Sequence, residues 1–322
     1  IYTLSLHDAL PISLSNIVEI NSYSVFKDNN ATYRGGAIYS EGALTVTDSN
    51  FTNNQMTTHD KAGKNDYGGG AICALGELSV STSNFIENLA AHNDVEPNGD
   101  GGVAGAILIL NNTNTITIQT SNFTKNSGRH GGAITINNND KQNPNEVTIT
   151  QNNFVENTAL YGAAIDTYQQ VNITYNNFTK NNVTGQGSGE RVPMGAAICI
   201  NPGNEEYTVI VQNNNFTENQ AFDGGQSGVI HTQQGTTLTS SNNVYENNKA
   251  GDTGVAYIFD KATFTNDTFI GNSADYTGVL TLLSTANELT IDNCTFEDNE
   301  GNGYGDILWA RSEVTIKDSI II

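Results

Sequence analysis

Three residues that can take part in nucleophilic catalysis occur at one position of a repeated motif. Asp166, Cys199 and His231 each follow directly after an Ala-Ile pair or its variant Val-Ile. If successive copies stack, these residues lie about 4.8 Å apart from one copy to the next, and a cysteine beside a histidine and a carboxylate can form a nucleophilic site. Nothing in the sequence predicts an oxyanion hole, so we interpret the position as a solvated column of mixed residues. The predicted column is Tyr39, Cys73, Leu108, Thr135, Asp166, Cys199, His231, Tyr257, Thr281 and Leu308.

The length of chain between the motifs varies at two corners. One corner is short at residues 157–162 and expands at residues 55–68, 89–102 and 182–194, whereas the other expands after the Ala-Ile pair. Irregular loops on a regular scaffold are the usual binding surface of a repeat protein. The aromatic and basic residues in or beside these corners are therefore candidate ligand contacts: Tyr67, His92, Arg129, His130 and Arg191.

One of these loops carries alternating acidic residues. Asp94, Glu96 and Asp100 lie among an asparagine and several glycines, and carboxylate oxygens spaced by glycine turns can wrap a calcium ion. Their spacing matches neither an EF-hand nor the nonapeptide calcium repeat. The sequence therefore favours a solvated acidic loop and no cofactor, with calcium at these three residues as the alternative.

The repeat that creates this column occupies most of the chain. Each copy has a Phe-x-x-Asn signature and a Gly-Gly-Ala-Ile signature, or close variants of them. Phe154 and Phe178 are 24 residues apart, enough for one turn of three short strands, whereas a propeller blade needs about 40–45 residues. No window has the 3.6-residue apolar period of a helix. The sequence therefore predicts an all-β, right-handed parallel β-helix of about eleven coils.

Equivalent residues of stacked coils form continuous ladders along the axis. We predict an internal ladder of phenylalanines from Phe51 to Phe296, in which Val244 replaces phenylalanine in one copy. An aliphatic ladder is predicted five residues before it. Asparagine tolerates left-handed backbone angles and can bond to its equivalents, which predicts a corner ladder. Its members are Asn54, Asn88, Asn126, Asn157, Asn181 and Asn219.

Bulk properties limit the partners of this chain. The 322 residues carry a formal net charge of −21, which disfavours nucleic acids and anionic membrane surfaces. No segment approaches 18 consecutive apolar residues, so no transmembrane segment is predicted. Cys73 and Cys199 are four copies apart, or about 19 Å, which is beyond disulfide reach. We therefore expect the three cysteines to remain thiols.

The two ends of the chain depart from the repeat. Residues 1–13 fit no copy and back-translate to a common sequencing adapter, so we expect an assembly artefact outside the fold. The last copy stops midway through a coil. We therefore expect residues 14–322 to form a single β-helix domain, a fragment from environmental DNA that is truncated at both ends.

Polysaccharide-cleaving enzymes are the natural catalytic comparison for a parallel β-helix. Polygalacturonase-like members carry paired aspartates with Gly-His-Gly and Arg-Ile-Lys motifs, none of which occurs here. Pectate-lyase-like sites need clustered acidic calcium ligands and a basic residue, and Arg34, Arg129, Arg191 and Arg311 lie beside no acidic cluster on one face. A lyase or hydrolase of this class stays as the alternative interpretation.

The paired Gly-Gly-Ala-Ile and Phe-x-x-Asn motifs resemble the repeats of the chlamydial polymorphic outer-membrane proteins. They are equally similar to the Asn/Thr-rich adhesin-like surface proteins of gut methanogens and some bacteria. The resemblance covers about residues 20–310 and implies a secreted or surface-displayed β-helix that binds a glycan or a protein of a host or neighbouring cell. We therefore expect a non-catalytic, extracellular adhesin-like protein, with a structural cell-wall spacer as a third interpretation.

Overall fold

A stack of short parallel strands makes up the protein. The computed structural model describes residues 12–14, 18–21, 23–57, 67–91, 102–110, 115–137, 146–185, 192–203, 206–222, 224–283 and 288–322. Among these residues there is no helix, and the chain winds as a right-handed parallel β-helix. Three parallel sheets of eleven strands each, which we name A, B and C in their order along a coil, form its sides. The predicted fold class and number of coils are confirmed.

Each coil contributes one strand to each of the three long sheets. The strands of sheet A are Ile12–Leu14, Ile38–Ser40, Ile72–Ala74, Ile107–Leu110, Ile134–Asn137, Ile165–Thr167, Ile198–Ile200, Ile230–Thr232, Ala256–Ile258, Leu280–Leu282 and Leu308–Ala310. The strands of sheet B are Val18–Ile20, Leu44–Thr47, Leu78–Ser81, Ile116–Gln119, Val147–Thr150, Val171–Thr174, Tyr207–Gln212, Thr236–Ser241, Lys261–Thr265, Glu288–Asp292 and Glu313–Lys317. The strands of sheet C are Val25–Lys27, Asn50–Thr52, Asn84–Ile86, Asn122–Thr124, Asn153–Val155, Asn177–Thr179, Asn215–Thr217, Val244–Glu246, Thr268–Ile270, Thr295–Glu297 and Ile320–Ile321.

Two-residue strands line the corner between sheets C and A. Three of them pair near one end: Asn30–Ala31, Gln55–Met56 and Leu89–Ala90. Six more continue along the same corner: Thr158–Ala159, Asn182–Val183, Gln220–Ala221, Lys249–Ala250, Ser273–Ala274 and Glu300–Gly301. Each of them comes before a copy of the Gly-Gly-Ala-Ile signature or of its variants.

The first strand of sheet A overlaps the stretch that we set apart in the sequence. Ile12 pairs with Ile38, and Ser13 pairs with Tyr39. Two of the thirteen residues assigned to the adapter therefore take part in the ladder, and the boundary between residues 13 and 14 remains a prediction.

Side chains of each strand point alternately into the core of the β-helix and toward its outer surface. In the sheet B strand Val147–Thr150, Val147 and Ile149 are buried while Thr148 and Thr150 are half-buried, as expected when successive side chains point to opposite faces. The predicted aliphatic ladder is confirmed by direct pairing, for example of Ile149 with Ile118 and Ile173.

The aromatic ladder lies in sheet C. Its rings stack face to face at centroid distances of 4.7–5.0 Å from Phe26 to Phe296. The predicted placement of Val244 is wrong, because Tyr245 pairs with Phe216 and stacks between Phe216 and Phe269. The copy is read correctly when it is aligned on Asn248, which continues the asparagine ladder three residues after Tyr245.

Tyr245 brings a hydroxyl group into the core, and a polar cluster receives it. The Tyr245 hydroxyl lies 2.8 Å from Ser240 Oγ, and Ser240 Oγ donates to Asp267 Oδ2 at 2.7 Å. Ser240 pairs with Val211 and so takes the next position of the aliphatic ladder. Asn243 donates through its backbone N–H to Asp267 Oδ1 at 2.7 Å. Burial raises the pKa of Asp267 from 3.8 to about 7, against the lowering effect of these hydrogen bonds.

The asparagine ladder joins each coil to its neighbours on both sides. Asn157 Nδ2 donates to Asn181 Oδ1 at 2.9 Å and to the Phe123 carbonyl oxygen at 2.9 Å. Its Oδ1 accepts from the Asn126 backbone N–H at 2.9 Å and from Asn126 Nδ2 at 3.0 Å. Buried polar groups need hydrogen-bond partners, and the Asn157 amide finds its partners in the coil before it and in the coil after it, so it links three coils. The predicted corner ladder is confirmed.

The left-handed residue at this corner is not the ladder asparagine. Positive φ angles occur at the residue just before it, for example at Glu156 (55°) and Lys180 (55°). A second buried polar ladder, which we did not predict, lies at the corner between sheets B and C. There Asn152 donates to Asn176 Oδ1 at 3.0 Å, and Asn176 donates to Asn214 Oδ1 at 3.1 Å.

Candidate functional site

The turn before each Gly-Gly-Ala-Ile signature folds onto the outer face of sheet A. Gly131 has a φ of 57°, and a Cβ there would lie 2.1 Å from the Ile134 carbonyl oxygen, so only glycine permits this tight return. The Thr135 hydroxyl on the outer face then donates to the His130 carbonyl oxygen at 2.7 Å. Because the turns cover this face, the column after Ala-Ile is buried from Cys73 to Thr281, while Tyr39 is half-buried, and our prediction of a solvated column is wrong. Its members Cys73, Leu108, Thr135, Asp166, Cys199, His231, Tyr257 and Thr281 are all buried.

The three candidate catalytic residues do lie side by side. Asp166 pairs with Cys199, and Cys199 pairs with His231, on successive strands of sheet A. At the end of the column the prediction fails, because Trp309 and not Leu308 pairs with Thr281. Leu308 instead follows Leu280, because the last copy of the signature is shifted by one residue relative to our alignment.

The electrostatics of the column oppose nucleophilic chemistry. Burial, and after it the neighbouring Asp166, raises the pKa of the Cys199 thiol well above 9.0. Burial lowers the pKa of His231 from 6.5 to about 3, and in the described part of the chain its Nδ1 has no hydrogen-bond partner. A nucleophilic cysteine needs a base that can take its proton. The His231 imidazole is too weak a base to take the proton of the Cys199 thiol, so the pair does not meet that need.

Asp166 is engaged by a different histidine. His130 Nδ1 lies 2.9 Å from Asp166 Oδ2, and the Tyr168 hydroxyl lies 3.1 Å from the same nitrogen. The His130 ring also packs on Tyr161, with centroids 4.7 Å apart. Burial, followed by the charge of Asp166, raises the pKa of Tyr168 well above 10.0. This cluster fastens the turn of one coil to the sheet A strand of the next.

The candidate ligand contacts differ in their exposure to solvent. Arg129 and His130 are each only 9% exposed, which contradicts their expected position on an open corner. Tyr67 is half-buried and packs on Tyr33, with ring centroids 5.2 Å apart. His92 and Arg191 lie outside the described residues, so their role as contacts remains a prediction.

The candidate calcium ligands cannot be placed either. Asp94, Glu96 and Asp100 lie outside the described residues. In the part of the chain that the structure describes, no group of three or more His, Cys, Asp or Glu side chains is placed to hold a metal ion. Calcium binding by the 89–102 loop thus stays a prediction.

A cluster of exposed aromatic rings at one corner was not predicted. Tyr276 and Tyr304, in the turns before two late signatures, are 48% and 59% exposed and stack at 5.4 Å. Tyr304 also stacks on Trp309 at 5.2 Å, and the Arg311 guanidinium lies 4.9 Å from the Trp309 ring centroid. We call these four residues the aromatic corner. The sequence did not reveal this pair, because Tyr276 and Tyr304 have the same offset, four residues before Leu280 and Leu308, only in the corrected register of the last copy.

The three cysteines test the column assignment. Cys73, Cys199 and Cys294 are buried thiols, as expected, and burial raises the pKa of Cys294 to about 11. In the native protein at pH 8 we expect almost no reaction with a thiol reagent, because all three thiols are buried and burial raises the pKa of Cys199 and Cys294. After unfolding without reductant, three thiols should react. A count of one in the unfolded chain would reveal a disulfide and contradict the assignment.

Comparison with known proteins adds no relative. No protein-family model matches this chain, and no curated protein sequence matches it. The family resemblance therefore rests on the repeat motifs alone. Among the described residues, no helix has the length and apolar character needed to cross a lipid bilayer.

Proposed function

We propose that this protein is a non-catalytic, adhesin-like β-helix that binds a glycan or a protein at the cell surface or outside the cell. The aromatic corner is the observation that carries the proposal. Tyrosine, tryptophan and arginine dominate binding hot spots, and four such side chains lie in a row of successive contacts at a corner of the scaffold. The resemblance to polymorphic outer-membrane proteins and adhesin-like surface proteins supports the same role.

The electrostatics of the sheet A column support a binding role over catalysis. The only cysteine–histidine neighbours on that column are Cys199 and His231 among the described residues, and the shifts in their pKa values leave neither group activated. Rigid packing of the corner turns onto sheet A would hold the aromatic corner in one geometry. A preorganised surface of that kind loses little conformational entropy on binding.

A panel of neutral and acidic polysaccharides tests the proposal. The purified protein is incubated with each polymer, and both retention and the appearance of reducing or unsaturated chain ends are followed. We expect retention without cleavage, reduced by Tyr276→Ala with Tyr304→Ala but not by Tyr175→Ala, since Tyr175 is a 60% exposed tyrosine at another corner. Shortening the loops at residues 89–102 and 182–194 tests two of the expanded corners in the same assay.

Two results would contradict the proposed function. New chain ends released from any polymer would show that the protein is a lyase or hydrolase. If neither the polysaccharides nor a set of extracellular matrix and cell-surface proteins retains it, a structural spacer is the better interpretation.

A further inference from the structure

The outer face of sheet C is a regular, uncharged strip on a strongly acidic protein. Six successive strands, from Asn50–Thr52 to Asn215–Thr217, each begin with an asparagine that points outward. The asparagines are Asn50, Asn84, Asn122, Asn153, Asn177 and Asn215. The outward residue two positions later is in turn Thr, Ile, Thr, Val, Thr and Thr. We name these twelve side chains the Asn–Thr face.

The asparagines of this face form a second kind of amide ladder, on the outside. Asn153 Nδ2 donates to Asn122 Oδ1 at 2.8 Å, and Asn177 Nδ2 donates to Asn153 Oδ1 at 2.8 Å. The other steps of the ladder are 2.8–3.0 Å. Each amide has two N–H donors and two acceptor lone pairs, and the ladder uses one of each. Every coil therefore keeps one donor and one acceptor for a ligand, in a fixed orientation.

The second column of the face offers apolar contacts at the same spacing. All six of its residues are β-branched, so their χ1 angles are restricted and a methyl group is held in place on each coil. Ile86 is 36% exposed. Six strands at about 4.8 Å give a strip of about 24 Å on which a donor, an acceptor and a methyl group recur once per coil.

The border of the strip carries little net charge. After the neutral Asn53, the residues that follow the second column alternate in charge, with three glutamates and two lysines. Lys125 Nζ lies 3.7 Å from Glu156 Oε2, and Lys180 Nζ lies 3.6 Å from Glu218 Oε2. None of the twelve face residues is charged, although the chain carries −21 overall. A polyanion would be repelled by the protein as a whole, and a polycation would find its partners elsewhere. The face thus suits an uncharged ligand.

We propose that the Asn–Thr face binds an extended, neutral, β-linked polysaccharide laid along the β-helix axis. Each sugar residue of such a chain advances it by nearly one strand spacing, and successive residues are turned over. Hydroxyl groups from alternating edges of the sugars can therefore meet the free amide groups along the strip while C–H groups contact the methyl column. A protein partner fits less well, because the face has no aromatic side chain to serve as an anchor. This inference rests on the glycan-binding form of the proposed function and adds a second glycan-binding surface to the aromatic corner.

The test measures how the protein partitions onto insoluble particles of β-1,4-glucan and of chitin, with α-linked starch granules as a control of ligand shape. The double variant Thr124→Arg with Thr179→Arg puts two long side chains on the Asn–Thr face, where they block a ligand sterically. Thr117→Arg with Thr174→Arg is the matched control, because those threonines are half-buried and point outward from sheet B in the same two coils. We expect binding to a β-linked polymer that falls at least about tenfold in the face variant and less than twofold in the control.

Equal unfolding midpoints in urea confirm that both double variants are folded. Undiminished binding by the face variant would overturn the inference, as would equal binding to starch or no binding to either β-linked polymer. If glycan retention is lost only when Tyr276 and Tyr304 are replaced, the inference fails while the proposed function stands. Loss of binding to the β-linked polymer in the face variant, beside the reduction expected when Tyr276 and Tyr304 are replaced, supports the inference.

Discussion

Phe154→Ala is expected to lower the free energy of unfolding by about 3–5 kcal/mol, the usual cost of emptying a packed aromatic position. Phe154 is fully buried in the middle of the aromatic ladder, with Phe123 at 5.0 Å and Phe178 at 4.9 Å. Each neighbour loses one stacked face. The coils above and below are held by backbone ladders in several sheets, so the cavity cannot close by local collapse. Urea unfolding followed by circular dichroism measures the loss.

The control for this variant is the next residue. Val155→Ala removes a half-buried side chain that points outward from the same strand, so we expect a change within about 1 kcal/mol. Because a stack of coils can unfold in parts, the slope of the transition must be compared along with its midpoint. Equal effects of the two substitutions would show that the ladder does not carry the core.

Asp267→Asn is expected to stabilise the protein above pH 7 and to remove a pH dependence. Burial raises the pKa of Asp267 to about 7 in the folded protein, compared with 3.8 when it is exposed. The unfolded chain therefore releases this proton near pH 4, whereas the folded protein keeps it until about pH 7. The free energy of unfolding is therefore highest, as far as this group is concerned, below pH 4. It falls as the pH rises from 4 to 7, and above pH 7 this group causes no further change. Three pH units amount to about 4 kcal/mol.

Asparagine should fit this site because the same ladder uses Asn214 and Asn243 in the two preceding coils. Its Oδ1 can accept from Asn243 as Asp267 does. Its Nδ2 can donate to Ser240 Oγ, whose own proton then turns to the Tyr245 hydroxyl oxygen. Unfolding free energies of the wild type and the variant are measured from pH 4 to pH 8. The gap between them should widen with pH, whereas Asp298→Asn at an exposed turn should leave the profile unchanged. A constant gap would show that Asp267 ionises normally in the folded protein.

Repetition explains which parts of this structure the sequence could predict. The aromatic and aliphatic ladders follow from residues that recur at fixed short spacing, since stacking then has one consistent register. The exchange of Val244 for Tyr245 shows the limit, because the shift becomes clear only when the copy is aligned on Asn248. Local pattern alone cannot choose between two neighbouring apolar residues.

Burial of the sheet A column could not be predicted for a different reason. Whether a polar residue such as Asp166 is solvated depends on where a turn from another coil packs. His130 and Asp166 are 36 residues apart, and no spacing rule relates a residue of a corner turn to one on the next strand. The aromatic corner was missed in the same way, because Tyr276 and Tyr304 meet only after two coils are stacked.

The buried asparagine ladder has a consequence for how genes of this type can change. Asn157 donates to the coil after it and accepts from the coil before it. A duplicated coil therefore carries both the donor and the acceptor that the ladder needs. A tandem duplication or deletion of one whole coil restores every amide contact, whereas an insertion between Phe154 and Asn157 breaks the ladder. Descendants should therefore vary in copy number while keeping that three-residue interval, and unequal recombination would lengthen or shorten the protein without new core mutations.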